Sequence, residues 1–312
     1  MKRNLLIISP IALSGMMVAS IATSCGGDNA STTDSTKKDT AVVADTASKM
    51  TLAPGMTPWD FPTVGMTSEP GNHVLCPSWG MYTSIFEEEV PADQTLIFYD
   101  AKMSASGDVE SDIEFTFDGV QKMPNSLVIN IPKGQTAAVG DIVLTWWQTG
   151  SGMQRAIVTD ASDPKSPKVR YLDLSYDNPS TDDESGKSIG ATEYKLDPDT
   201  FVKITDDWQE GNTIAVKTEW GYEAATIIKV SGDKVLTCGF AGKMKVYAKA
   251  DCKVVPRVPD VKAGDKVWAV TSVSFSEATV VKVDKKLGVV FVKANETEYP
   301  VSYGEITKEE LK

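Results

Sequence analysis

Histidine occurs once in this chain of 312 residues, as His73. That scarcity removes multi-histidine metal sites and leaves almost no room for Ser-His-Asp or Cys-His nucleophilic systems. The sequence contains no GxGxxG and no P-loop, so phosphate cradles have no support. Cysteine is scarce as well: there are four, with neither a CxxC pair nor a Cys/His cluster. Beyond residue 50 no segment sustains a 3.6-residue apolar period of helical length, which points to an all-β chain. Basic residues are outnumbered, 31 against 43 acidic, for a formal charge of −12. Such an acidic surface repels nucleic acid and anionic lipid, so no nucleic-acid partner is expected. The carboxylate runs Glu87-Glu88-Glu89 and Asp182-Asp183-Glu184 lack the alternating oxygen spacing of a calcium loop and read as solvated charge. An assembled carboxylate pair of the glycosidase kind leaves no mark in sequence spacing, and nothing points to one. The expectation is a non-enzyme with no cofactor and no metal.

What the sequence does have begins at its N-terminus. Lys2 and Arg3 precede an almost wholly apolar run from Leu5 to Ala22, and Ala22-Thr23-Ser24 leads into Cys25. Charge, apolar run and small residues in that order make a secretion signal. Pro10 and Gly15 within the run, and the small residues at its end, disfavour a permanent membrane-spanning helix. The segment resembles the signal peptides of bacterial lipoproteins, although Ala22 stands where Leu is usual and Ser24 where Gly or Ala is. The resemblance implies removal of residues 1–24 and lipid attachment at Cys25, as diacylglycerol and usually an amide-linked chain such as palmitate. Each buried methylene contributes roughly 0.8 kcal/mol, so two or three chains anchor a protein to its membrane almost permanently. The implied location is the cell envelope of a Gram-negative bacterium, and Gly26 rather than Asp after Cys25 favours the outer membrane. The alternative is a secreted protein in which Cys25 is incidental. Loss of Lys2 and Arg3 would take the formal charge from −12 to −14.

Residues 25–50 are rich in Ser, Thr, Asp, Ala and Gly and contain no aromatic residue. Such a stretch buries too little apolar area to offset its ordering entropy, so a disordered tether is expected. Within it, Asp34-Ser35-Thr36, Asp39-Thr40-Ala41 and Asp45-Thr46-Ala47 resemble an O-glycosylation signal of one group of Gram-negative bacteria. That resemblance would place sugars on Ser35, Thr40 and Thr46; a segment built from these letters also produces such matches by composition. Residues 51–70 hold four prolines and read as an extended lead-in whose Trp59 and Phe61 could pack on the first domain. With Cys25 assigned to lipid, Cys76, Cys238 and Cys252 form an odd set. Cys238 and Cys252 could bridge, but a small buried hydrophobe at each site is the preferred reading.

From residue 71 the chain repeats weakly. Gly71-Asn72-His73-Val74, Gly140-Asp141-Ile142-Val143, Gly211-Asn212-Thr213-Ile214 and Gly264-Asp265-Lys266-Val267 each place turn chemistry before a strand. A second strand opening on a small residue is expected after each: Ser84-Ile85-Phe86, Ala156-Ile157-Val158, Ala225-Thr226-Ile227 and Ala278-Thr279-Val280. Short period-2 strands joined by tight turns suit a small five-stranded barrel. The spacing divides the chain into a divergent β domain at 71–137 and barrels at 138–206, 207–257 and 258–312. The second carries an acidic, turn-rich insertion from Asp177 to Glu193. Units this small are marginal alone, so neighbours are expected to pack into a semi-rigid rod.

VKAGDKVWAV from Val261 and SEATVVKVD from Ser276 resemble the first two strands of SH3-like barrels of the Tudor and Agenet type. The similarity covers residues 211–308 well, 140–204 fairly, and 71–137 only at the start. It implies three to four tandem small barrels, all-β throughout, working as binding modules. In that family an aromatic cage for methylated cations uses a ring four residues after the first-strand Val. Here that position is Ser78, Trp147, Thr218 and Thr271, so only one repeat keeps it. A second ring would fall at Tyr222 and Phe275, with Met153 in the second barrel, and barrel-edge packing explains these equally. His73 reads as a surface turn residue. Because side chains alternate along a strand, one of Trp146 and Trp147 must face outward, and Trp147 is expected to. Candidate ligand-binding residues are therefore Trp79, Trp147, Trp220 and Tyr222. Two functions fit: a scaffolding module for an envelope protein or peptidoglycan, or a glycan-binding lipoprotein using the same rings.

Overall fold

The computed structural model describes residues 52–147, 152–174 and 193–312. The signal segment, Cys25, the tether with Ser35, Thr40 and Thr46, and all of the acidic insertion but Glu193 lie outside the described residues. The remainder is built from antiparallel sheets. In the first repeat, β1 (His73–Pro77), β2 (Phe98–Ala105), β3 (Glu110–Phe115), β4 (Gly119–Pro124) and β5 (Ile129–Ile131) pair in the order β4-β3-β2-β1-β5. The second holds β6 (Ile142–Trp146), β7 (Met153–Asp160), β8 (Lys168–Tyr171), β9 (Glu193–Lys195) and β10 (Val202–Lys203). The third holds β11 (Thr213–Thr218), β12 (Gly221–Ser231), β13 (Lys234–Cys238), β14 (Met244–Ala248) and β15 (Cys252–Val254). The fourth holds β16 (Lys266–Val270), β17 (Phe275–Asp284), β18 (Val289–Ala294), β19 (Thr297–Ser302) and β20 (Ile306–Thr307). In all four sheets a meander of four strands is followed by a fifth that returns to pair with the first, as in a small SH3-like barrel. The tandem all-β architecture is thus present, and the first repeat shares the topology of the others.

The Gly-Asx tetrapeptides have one structural job in every repeat. Gly71, Gly140, Gly211 and Gly264 stand at φ of 78°, 89°, 85° and 90°, a left-handed backbone that glycine adopts without strain. Their N–H groups donate to Met103, Val158, Ile227 and Val280 at 2.7, 2.9, 2.8 and 2.8 Å. The Asx side chain then fastens the turn: Asp141 Oδ2 accepts from Ala138 N at 2.8 Å and Asp265 Oδ2 from Lys262 N at 3.0 Å. Immediately after the paired residue, the register of the second strand slips by one in all four repeats, at Met103/Ala105, Val158/Asp160, Ile227/Lys229 and Val280/Lys282. A bulge bends its strand and increases the local twist, which lets a five-stranded sheet curl on itself. A Cβ added at Gly264 would meet nothing within 4 Å, so there the backbone alone sets the cost of substitution. Gly264→Ala should lose about 1 kcal/mol and roughly 2–4 °C of Tm, and Gly264→Asn less, because Asn tolerates this conformation. Thermal unfolding of the two variants checks the order.

Residues 84–86, expected as the second strand of the first repeat, form no strand. Ser78 Oγ accepts from Met81 N at 3.3 Å and caps a short helix, α1 (Trp79–Ser84), which runs on into a 3-10 turn at Ile85–Glu87. The strand that pairs with β1 starts only at Phe98, where Phe98, Ala101 and Met103 are buried. Trp59 and Phe61 of the proline-rich lead-in are each 6% exposed and pack into the core of this repeat, with Trp59 Nε1 donating to Ala92 O at 2.9 Å.

A linear rod is not what forms, because repeats that are not neighbours in sequence touch. Repeats one and three meet where Leu96 N donates to Gly242 O at 2.9 Å and where the buried Lys229 Nζ donates to Val128 O at 2.8 Å. Repeats two and four meet where the wholly buried Arg170 donates to Leu287 O at 3.1 Å and Ser302 Oγ donates to Leu172 O. One continuous apolar cluster contains Leu75, Leu144, Ile228 and Val290, one from each repeat. The extra packing supplies the burial that barrels of this size lack individually.

Candidate functional site

Strand register identifies an equivalent rim in every repeat. Leu75 pairs with Asp100, Leu144 with Arg155, Ala215 with Ala224 and Trp268 with Glu277. Across the next ladder, the second-strand residue two before each bulge faces the third strand: Lys102 with Glu114, Ile157 with Arg170, Thr226 with Cys238 and Thr279 with Lys293. Cavities open at this rim in repeats one, three and four. Their chemistry differs because the rim residues differ. In the fourth repeat a cavity of about 560 Å³ is flanked by Lys266, Lys293, Lys308 and Trp268. Its cations are already engaged: Lys308 lies 2.8 Å from Asp265, Lys293 2.8 Å from Glu296, and Lys266 donates to Thr279 at 2.7 Å.

In the first repeat a cavity of about 280 Å³ is lined by Tyr99, Phe115, Phe117, Asp100 and Asp118, with Cys76 and Ser78 beneath. Tyr99 and Asp100 come from β2, Phe115 from the end of β3, and Phe117 and Asp118 from the β3–β4 turn. Phe115 pairs with Gly119, whose φ is 66°, leaving a three-residue loop of the kind that glycine in this conformation closes. Gln121 Nε2 donates to Asp118 O at 2.8 Å and braces that loop. Phe117 at its tip is 95% exposed, whereas Phe115 is 8% exposed and anchors the wall. Asp100 is held in place by His73, whose Nδ1 lies 2.7 Å from Oδ1. Cys76 is fully buried, and burial followed by the charge of Asp100 pushes its thiol far above the usual range, so it is no nucleophile.

His73 is therefore not a surface turn residue: it opens β1, and its ring lies 5.0 Å from that of Trp146 in the second repeat. Trp147 does not face outward. Its ring centroid lies 4.5 Å from that of the buried Tyr171, on the core of the second repeat. Both tryptophans are half-buried because one packs within its own barrel and the other against the neighbouring repeat. Trp79 begins α1 with its ring 5.9 Å from Tyr82. Trp220 is 77% exposed beyond the end of β11, and Tyr222 is half-buried with its hydroxyl donating to Lys312 O at 3.4 Å. All four occupy the first connection of their repeats or its flanks, and none lines the rim cavities of repeats one, three and four. The rings that do share a cavity, Tyr99, Phe115 and Phe117, were missed because the repeat was aligned on residues 84–86 as its second strand. The readable signal was Phe115-Thr116-Phe117-Asp118-Gly119, an aromatic pair running into a turn.

Cys238 and Cys252 are free thiols, each pushed up to about 11 by burial; Cys252 is buried as the preferred sequence reading has it, whereas Cys238 is half-buried. Among the described residues no group of three or more His, Cys, Asp or Glu is placed to hold a metal ion. No helix among them is long and apolar enough to cross a membrane.

No family model matches the chain, and no curated protein matches it. Among solved structures it is similar to the tandem Agenet domains 3–4 of ADCP1, at 16% identity over 32% of this chain and 78% of that one, with a TM-score of 0.20. It is also similar to the four MBT repeats of Drosophila melanogaster Sfmbt in complex with the peptide RHR (me)K VLR, at 10% identity over 81% of this chain and 90% of that one, with a TM-score of 0.15. Superpositions this loose carry no functional argument, and the class rests on the sheets themselves: a tandem array of small Tudor-like β-barrels.

Proposed function

We propose that this chain is a non-enzymatic binding module, lipid-anchored through Cys25 in the bacterial envelope, that captures a cationic side chain of a protein partner in the first repeat. The observation that carries the reading is the convergence of Tyr99, Phe115 and Phe117 with Asp100 and Asp118 on one cavity. A ring face attracts a desolvated ammonium or guanidinium by roughly 0.5 to 2 kcal/mol, and neighbouring carboxylates add a Coulombic term that salt screens. Asp100, fixed by His73, presents its charge in a set geometry, so the site spends little entropy on binding. A formal charge of −12 favours encounter with a basic segment.

Residues 25–312 carrying Cys25→Ser, titrated calorimetrically with a lysine-containing octapeptide and its Lys→Gln counterpart, test the proposal. Binding should require lysine, weaken with added salt, and fall about fivefold in Phe117→Ala, equivalent to ~1 kcal/mol. Because Phe117 is 95% exposed, that substitution leaves the fold intact. Equal affinity for both peptides, or an unchanged affinity in Phe117→Ala, refutes the site. Trp147→Ala should leave affinity unaltered, since Trp147 lies in the second repeat.

A further inference from the structure

The chain's single histidine stands beside the cavity of the first repeat. His73 Nδ1 lies 2.7 Å from Asp100 Oδ1, and Asp100 lines that cavity with Tyr99, Phe115, Phe117 and Asp118. An ionised carboxylate only accepts, so Nδ1 carries the proton of this contact and Nε2 is the nitrogen that gains or loses one. The imidazole does not itself line the cavity. It acts on a ligand through Asp100 and through its own charge, as a positioning residue.

The pair is held on both sides. His73 opens β1 against β2, which carries Asp100, and its ring lies 5.0 Å from that of Trp146 at an interplanar angle of 31°. A ring set between a carboxylate and an indole has little freedom to swing away. The His73 and Asp100 side chains are 22% and 31% exposed, so solvent protons reach them while the surroundings screen their charges less than bulk water does. Other charged groups near the ring come from four places. Lys102 on β2 is its partner in strand register, and Glu114 on β3 faces Lys102. Lys133, beyond β5, donates to Pro70 O at 3.4 Å, and Arg155 on β7 donates to Tyr303 O in the fourth repeat. Strands β5 and β6, the latter carrying Trp146, contain no charged residue. Of these side-chain types, imidazole is the one that ordinarily changes charge between pH 5 and 8.

We infer, resting on the cationic reading of this cavity, that protonation of His73 weakens the site, so that the module holds a basic side chain at neutral pH and releases it in acid. With the imidazole neutral, the full charge of Asp100 is available to a lysine ammonium. The imidazolium offsets that charge and repels a second cation. At the effective dielectric of a partly exposed site, one like charge a few ångströms away changes affinity about tenfold. Asp118 keeps its charge, so binding falls to a lower plateau rather than to nothing. By reciprocity, a bound ammonium opposes protonation of the ring by the same factor.

The test titrates residues 25–312 carrying Cys25→Ser with an N-acetylated lysine octapeptide and its Lys→Gln counterpart, by calorimetry in steps from pH 5.5 to 8. Lysine-dependent affinity should rise about tenfold over that range. His73→Gln still offers Asp100 a donor but does not titrate, and should bind at the upper plateau throughout; His73→Arg, permanently charged, should bind at the lower one. NMR gives a second readout, because the chain has one imidazole and its carbon-bound protons need no assignment. Their titration midpoint should move about one pH unit lower in the saturated lysine-peptide complex and stay in place with the Gln peptide. Burial pushes the Glu305 carboxyl up, but Glu305 lies at the junction of repeats two, three and four, away from this cavity. A pH dependence that persists in His73→Gln would belong to such a group and would overturn the switch. Affinity that requires lysine but stays level from pH 5.5 to 8 would overturn the switch and leave the site standing. No lysine-dependent binding at any pH would remove both.

Discussion

Arg170→Ala should melt roughly 8–16 °C below the parent protein. Arg170 has no exposed surface, and its guanidinium donates across the boundary between repeats two and four to Leu287 O at 3.1 Å. Truncation removes a long side chain from a packed boundary and strands a carbonyl. The cavity contributes about 2–5 kcal/mol in large-to-small substitutions, and an unsatisfied buried acceptor about 1–3 kcal/mol. The two overlap, because a relaxed cavity can admit water to the carbonyl, so about 4 kcal/mol is a fair sum. At about 2–4 °C per kcal/mol for a fold of this size, the shift follows. The equivalent residues Glu114 and Lys293 face outward, so Glu114→Ala and Lys293→Ala should move Tm by less than 2 °C. Equal shifts in all three would mean that the position matters to each barrel by itself and that the junction adds nothing. Differential scanning calorimetry decides the matter, and also shows whether the four repeats melt in one transition.

How much of this was legible in the sequence depends on the distance over which each feature is encoded. The Gly-Asx tetrapeptides were readable because a left-handed glycine and an Asx-fastened turn are made from adjacent residues. Short apolar, β-branched runs between turn signals, such as Ala224 to Val230, announced strands for the same reason. The bulge in the second strand was not readable. Ser104, Thr159, Ile228 and Val281 mix polar with apolar side chains, and the bulge coincides with the backbone pairing of the upstream glycine. The first repeat misled because Ser78, a helix cap, precedes a strand-like triplet at 84–86. Cap and helix outcompete three residues of strand propensity that have no partner. The cavity of that repeat was missed as a consequence, since Tyr99 and Phe117 become neighbours only once Phe98–Ala105 is the second strand. Clustering of the repeats also left no local mark. Lys229 looks like a surface lysine in AATIIKV, yet the bulge one residue earlier turns it toward the first repeat.

Lys229 is therefore where the coupling between the first repeat and the rest can be measured directly. Its ammonium, 9% exposed by residue, donates to Val128 O at 2.8 Å and lies 3.1 Å from Glu210 Oε1. Val128 is itself wholly buried, just ahead of β5, the strand that closes the first barrel against β1. Lys229→Ala removes a charged donor, leaves the Val128 carbonyl without its partner, and frees Glu210, which is already partly solvated. Hydrogen bonds to charged groups contribute about 1.5–3 kcal/mol, so a loss of ~2 kcal/mol and about 4–8 °C of Tm is expected. Lys229→Met restores the packed volume without the donor and should recover less than half of that loss, because the orphaned acceptor dominates. Amide exchange gives the sharper reading. Residues 125–131 should lose protection in both variants, while β16–β18 of the fourth repeat keep theirs. A rigid first barrel is what holds Asp100, Tyr99 and Phe117 in register for a cation, so lysine-peptide affinity should fall in Lys229→Ala although Lys229 does not line that cavity. Unchanged exchange at 125–131 would mean that the first repeat closes by its own packing, and the two barrels could then be altered independently.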